Sequence, residues 1–388
     1  MAKICMISVD HSPIDDRIFY KEAMTLSSNG HEVSMICKAD DQGVCYDMGG
    51  KTALNNPDEK SFAIEGIECH AISFSSDRIQ RLLFKLLKGQ FVKEYLAKGI
   101  EIGADVYHAH EPVSFYLGYQ ITKKNGAKLI FDAHESWRSG TKKEMWIQRN
   151  YLSKLHYLIT ANQLTRGYLT NLNPNLKSEV IHNAAESRLY SSRVEKSDDA
   201  IVFTHEGYLP FNRGLKEMLE AFVWVHQKNP KTRFKIIGEA DGEEKIFLEQ
   251  FIEQNELKSA VEITGWLPYN EVGKHLMQCD IGLIAKRPST NNVLGGPPIK
   301  YFNYLAAGLA VIDNGMPETE RFINRIGNGI ISSSSNAKSL AEAMCELADN
   351  IELLRKLKAN SLYGFHTYNW DQSSKKLLNF YSRILTQR

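Results

Sequence analysis

Short apolar runs alternate with longer stretches of helical periodicity, and the alternation occurs twice along the chain. In the first half, residues 3–9, 32–37, 67–73, 105–109, 128–132, 157–161 and 179–181 predict strands. Most lack apolar–polar alternation, as parallel strands buried on both faces do. Helical stretches such as 17–28, stopped by Asn29-Gly30, lie between them. In the second half the strand signal returns at 200–204, 233–237, 261–264, 281–284, 310–312 and 329–331. Helices are predicted to begin near Leu215, Glu243, Asn270, Lys300 and Ser339, and a last amphipathic helix over 370–385. Repeated βαβ units imply an α/β protein with two doubly wound sheets. Two such domains facing a cleft would place strand ends and helix starts along it.

The stretch 184–199 is polar, charged and without apolar period, so it reads as the joint. The expected domains are 1–185, a linker at 186–199, 200–368, and a C-terminal helix at 369–388 packing back on the first domain. At 388 residues the chain is long enough for two cores. A net charge of +1 gives no electrostatic case for a nucleic-acid partner. The six cysteines are scattered, without paired spacing for zinc or redox work, and suggest a reducing cytosol. No apolar run approaches a membrane span, and the N-terminus reads as a strand. The segment 78–99 is basic and amphipathic, with Leu82, Leu83, Leu86 and Leu87 along one face. It reads either as a helix on its own sheet or as a peripheral contact with the inner face of a membrane.

Candidate chemistry concentrates at Gly295-Gly296-Pro-Pro-Ile-Lys300, where a glycine- and proline-rich loop enters a helix. Unpaired amides at a helix start, with the positive end of the dipole behind them, favour an anion. Lys300 adds a cation, and the arrangement suits a diphosphate. Arg213-Gly214 follows a strand and a polar turn. A cation at a helix start is electrostatically unfavourable unless an anion sits there, although a solvated surface arginine is the bland alternative. His108 and His110 alternate along one strand, but no further ligand arrangement supports a metal.

Taken in order, the motifs resemble glycosyltransferase family 4, of the GT-B type with two Rossmann-like domains, over nearly the whole chain. Carrying the resemblance are Asp16-Arg17 through Glu22 with Asn29-Gly30-His31, Asp105-Val-Tyr-His108-Ala-His110-Glu111-Pro112, and Phe131-Asp132-Ala-His134-Glu135. Val180-Ile-His-Asn183, Thr264-Gly265-Trp266, Asp280-Ile-Gly-Leu and Pro298-Ile-Lys300-Tyr-Phe-Asn303 followed by Gly308 complete it. The resemblance implies a nucleotide-sugar donor held by the second domain and a glycan or lipid-linked acceptor held by the first. It also implies retention of anomeric configuration, no metal and no cofactor, in cell-surface polysaccharide or glycoconjugate synthesis.

Residue by residue, the resemblance puts Gly207, Tyr208, Arg213, Gly265, Gly296, Lys300 and Asn303 on the donor. His134 takes the catalytic position beside the sugar, the alternative being a structural pair with Asp132 or Glu135. Asp10, His11, Arg17, His110 and Glu111 fall on the first loop or the acceptor side, His108 and His110 also reading as strand-end packing and Asp16 as a helix cap. The family pattern has two glutamates where this chain has Gly295 and Asn303. That departure leaves open a weakened member serving as the partner subunit of another transferase, and the same fold also hosts nucleotide-sugar epimerases. Homo- or hetero-oligomers both remain open.

Overall fold

The computed structural model describes residues 1–75, 77–133, 140–191, 199–288 and 295–386. They form two compact units, Met1–His182 with Ser374–Arg388, and Asn183–Ser373. Of the linker expected at 186–199, residues 192–198 lie outside the described residues.

The first unit is built on β1 (Lys3–Ile7), β2 (Glu32–Ala39), β3 (Ser61–Ile64), β4 (Ile67–Ser73), β5 (Val106–Ala109), β6 (Lys128–Ala133), β7 (Tyr157–Thr160) and β8 (Lys177–Val180). Their order is β3-β4-β2-β1-β5-β6-β7-β8, and all pairs but β3–β4 are parallel. β1 is central, with Ile4 opposite both Val33 and Val106, and Ile4 to Ile7 are wholly buried. The chain builds outward from β1 to β4, then returns to β5 and builds the other way. Between β1 and β5 the order therefore reverses, and there the carboxyl ends of the strands leave a crevice. Around the sheet lie a π-helical turn (Asp16–Ala23) running into α1 (Met24–Ser28), α2 (Arg78–Lys85), α3 (Gln90–Ile102), α4 (Pro112–Asn125), α5 (Lys142–Tyr151) and α6 (Gln163–Leu172).

The second unit repeats the plan with β9 (Ile201–Glu206), β10 (Thr232–Ile237), β11 (Val261–Ile263), β12 (Ile281–Ile284), β13 (Ala310–Asp313) and β14 (Gly329–Ile331). The order β11-β10-β9-β12-β13-β14 is parallel throughout and reverses between β9 and β12. Its helices are α7 (Leu215–Lys228), α8 (Gly242–Gln254), α9 (Tyr269–Leu276), α10 (Ile299–Ala307), α11 (Pro317–Ile326), α12 (Ala337–Asp349) and α13 (Ile351–Thr367). The last helix, α14 (Trp370–Thr386), starts in this unit and continues in the first. There the Tyr381 hydroxyl lies 2.9 Å from His108 Nδ1, and Arg383 pairs with Glu179 at 2.8 Å.

Two expectations change. The segment 78–99 is not one helix: Leu87 and Gly89, both at positive φ (55° and 97°), separate α2 from α3. Leu87 is consequently buried, while Leu82 and Leu86 stay exposed. The unpredicted β3 is an antiparallel edge strand joined to β4 through Glu65-Gly66, both at positive φ, a two-residue hairpin turn.

Candidate functional site

At the order reversal of the second sheet, β9 ends in His205 and Glu206 and the chain turns at Gly207 (φ +89°). The Gly207 amide donates to Ile237 O at 2.8 Å, and a Cβ on the neighbouring Gly238 would meet Gly207 O at 2.4 Å. Only glycine permits that approach. Helix α10 enters the same corner. It starts at Pro298 without a side-chain cap and stops at Gly308 in the left-handed region. Its buried Tyr304 lies beneath the site: the hydroxyl accepts from Glu206 N–H at 3.1 Å and donates to Leu283 O at 3.4 Å. The ends of β9 and β12 are thereby tied to the helix that carries Lys300.

Lys300 is 8% exposed, and its Nζ lies 3.0 Å from Nε2 of buried His205. Burial, with the charges of Lys300 and Arg213, holds His205 well below its ordinary pKa, so its ring accepts the ammonium proton. Burial also pushes Lys300 down to about 7; the charges of Arg213 and Lys286 act the same way, and Glu206 opposes them. Gly207 borders this ammonium, its Cβ position lying 4.0 Å from Nζ. Asn303 Nδ2 donates to Glu206 Oε1 at 2.8 Å. Exposed Arg213 donates to Tyr208 O at 3.3 Å, and the Tyr208 hydroxyl reaches Asp241 at 2.6 Å. A buried ammonium crowded by like charge is relieved by an anion. Helix-start amides next to it suit the same ligand.

Lys300, Asn303 and Gly207 are thus brought together, with Arg213 and Tyr208 at the margin. Gly296 leads into α10, and Gly265 (φ +71°) follows β11, two strands from β9. His205 and Glu206 were missed by sequence reasoning, because their role depends on neighbours almost a hundred positions away.

In the first unit the residues expected near the acceptor separate into two groups. Arg17 is a correction: it is 2% exposed and turned into the interior. Its Nε and Nη2 donate to Asp132 Oδ2 at 3.0 and 2.7 Å, Nη1 donates to Ile181 O, and Glu22 lies 3.1 Å away. The turn points it there because Asp15, not Asp16, caps it by accepting from Arg17 N and Ile18 N. His110, read as strand-end packing as well as an acceptor-side contact, is 2% exposed and stacked on His108 at 4.5 Å, as packing requires. The fold adds Glu22 and Asp132 to this His-x-His pair, so four residues could hold a metal by position. Arg17 already engages both carboxylates, and a divalent ion beside it would meet strong repulsion in a dry interior. Burial, then the charge of Asp132, pushes Glu22 well above the carboxylate range despite Arg17.

Buried Glu111 is also an anchor: its carboxylate accepts from Val9 N and Asp10 N at 3.3 Å, and from the Ser8 and Ser114 hydroxyls. It fixes the loop that presents Asp10 and His11. Burial opposes charge on His11, but its 3.0 Å bond to Asp15 and the charges of Asp15 and Glu111 raise it to about 9. Asp10 and His11 line a pocket of about 670 Å³ with Lys38, Tyr46, Phe74 and Arg81. Arg81 belongs to α2, whose Ile79, Leu82 and following Leu86 are 66%, 58% and 60% exposed. His134 lies outside the described residues.

Comparison with known proteins supplies the context. Residues 17–187 match the model of Glycosyltransferase Family 4 and residues 188–362 that of Glycosyl transferases group 1, together most of the chain. An alpha-monoglucosyldiacylglycerol synthase of Acholeplasma laidlawii is 22% identical over 335 residues, 78% of this chain and 82% of the relative. A solved sucrose-phosphate synthase from Thermosynechococcus elongatus superposes with TM-score 0.78 at 14% identity, covering 100% of both chains. Anabaena HepE in complex with UDP-glucose gives 0.73 at 13% identity, over 99% of this chain and 100% of that one. These structures share the GT-B fold.

Proposed function

Because the chain belongs to glycosyltransferase family 4, we propose that it moves a sugar from a nucleoside-diphosphate donor to a glycan or lipid-linked acceptor. Transfer proceeds with retention, in the synthesis of a cell-surface polysaccharide or glycoconjugate. One observation carries the reading: buried Lys300, next to His205 and within the field of Arg213 and Lys286, at the mouth of an uncapped helix. As the glycosidic bond breaks, charge builds on the departing diphosphate. Fixed cations and amides aimed at that charge lower the barrier, and they do so without recourse to a metal. Lys300, Arg213 and the amides near Gly207 and Gly296 fill this role, Tyr208 and Gly265 border the nucleotide, and His134 meets the sugar.

On the acceptor side, Asp10 and His11 face the pocket of the first unit. The pocket shares Arg81 with a helix that exposes Ile79 and Leu82 among basic residues. That combination supports a peripheral contact with an anionic membrane and an acceptor borne by lipid, as the name of the Acholeplasma relative also suggests.

Turnover of a nucleotide sugar chosen by thermal shift tests the donor assignment. Lys300→Ala and Arg213→Ala should each lower it at least roughly tenfold, about 1.4 kcal/mol of barrier. Unchanged turnover in both variants removes the assignment.

A further inference from the structure

Cations account for the phosphates of a donor but not for its nucleoside. Glu206 is the last residue of β9, half-buried, at the point where the strand order reverses. Its position is fixed twice. The backbone N–H donates to Tyr304, and side-chain Oε1 accepts from Asn303 Nδ2 at 2.8 Å. Asn303 stands three residues after Lys300 on α10, hence on the same helical face. Glu206 is also the group whose negative charge most supports the Lys300 ammonium. The carboxylate therefore lies in the corner assigned to the diphosphate, with its orientation set by an amide.

A carboxylate accepts on both oxygens, and Asn303 donates to Oε1 of this one. A ribose attached to the diphosphate offers two adjacent hydroxyl donors. Bonds from such donors to a carboxylate are charge-assisted, about twice as strong as those to a neutral amide. Resting on the donor reading above, we propose that Glu206 accepts the ribose hydroxyls of the nucleotide, and that Asn303 is its positioning residue. The expectation that Asn303 itself holds the ribose is thereby revised: its Nδ2 is turned to Glu206.

Calorimetry with UDP, GDP and ADP, each beside its 2′-deoxy and 3′-deoxy forms, tests this. For whichever base binds, the ribonucleotide should be preferred at least about tenfold, the worth of a hydrogen bond to a charged group. Glu206→Gln should reduce that preference to about twofold or less while leaving the deoxynucleotides nearly unaffected. The exchanged pair Glu206→Gln with Asn303→Glu restores a carboxylate to the corner and should regain most of the preference. It also guards against a single variant that fails to fold. A carboxylate serving only as counter-ion to Lys300 would shift ribo- and deoxynucleotides equally. An unchanged preference in Glu206→Gln, or equal loss for both sugars, overturns the assignment while leaving the donor reading in place. Absence of binding by any of the nucleotides to the unaltered protein overturns both.

Discussion

Where β1 meets β5, the buried arginine has its acids beside it. Where β9 meets β12, the buried lysine has cations for neighbours. Arg17 shares its guanidinium between Asp132 and Glu22, and burial raises the Glu22 pKa well above the carboxylate range, which opposes a second negative charge there. Lys300 has a neutral histidine at 3.0 Å, one half-buried carboxylate nearby, and two positive charges pressing its pKa down. Both corners sit at the same topological place in similar sheets. The first is complete within the protein and acts as structure. The second holds a buried amine crowded by like charge, the electrostatic ground for the anion proposed there. Position in the fold nominates both corners, and the charge balance is the ground for proposing the second as the donor site.

The largest effect should come from breaking the finished corner. Arg17→Met leaves Asp132 without its cation in a dry interior, a loss of about 3–5 kcal/mol. Chemical unfolding of the variant measures it. Lys300→Met removes a charge whose burial is already costly, so its unfolding midpoint should match or exceed that of the unaltered protein. Equal destabilisation by both substitutions would erase the contrast.

A smaller effect is expected at α2, where Ile79, Leu82 and the following Leu86 are exposed. Changing Ile79, Leu82 and Leu86 together to Ser removes three residues, each contributing about 1 kcal/mol at an interface. Sedimentation with phosphatidylglycerol-containing vesicles should fall at least about tenfold. Neutral phosphatidylcholine vesicles should bind weakly, and salt should release the protein. Retention on the vesicles by the triple variant would assign these residues another role.

Much of this architecture was legible beforehand, for a physical reason. Strands buried on both faces are continuous apolar runs, so β1, β5, β9 and β12 announce themselves. The edge strand β3 did not, since Ser61–Ile64 is short and half exposed. Glu65-Gly66 before Ile67–Ser73 was the signal that could have found it. Gly89 likewise marked the break between α2 and α3. Site residues divide along the same line. Lys300 and Gly207 were nominated because helix starts and glycine turns are local features, and the fold brings the two together. The interior role of Arg17 was hidden because its partner Asp132 is 115 positions away. Glu206 was hidden behind Asn303, 97 positions on. Charge balance arises from tertiary contacts, and a local pattern does not record it.

The second corner is tested most directly by the proton it should take up. Near pH 8 the Lys300 amine is largely neutral in the free protein, its pKa being about 7. A bound diphosphate favours the ammonium and raises that pKa. Between the two values the complex holds more protons than the free protein, so affinity falls as pH rises, by up to about tenfold per unit. Calorimetry of nucleoside diphosphate binding at pH 8, in buffers of different ionisation enthalpy, should show net proton uptake by the protein, and Lys300→Met should abolish it. Tight binding with no dependence on buffer, in both proteins alike, would contradict the account.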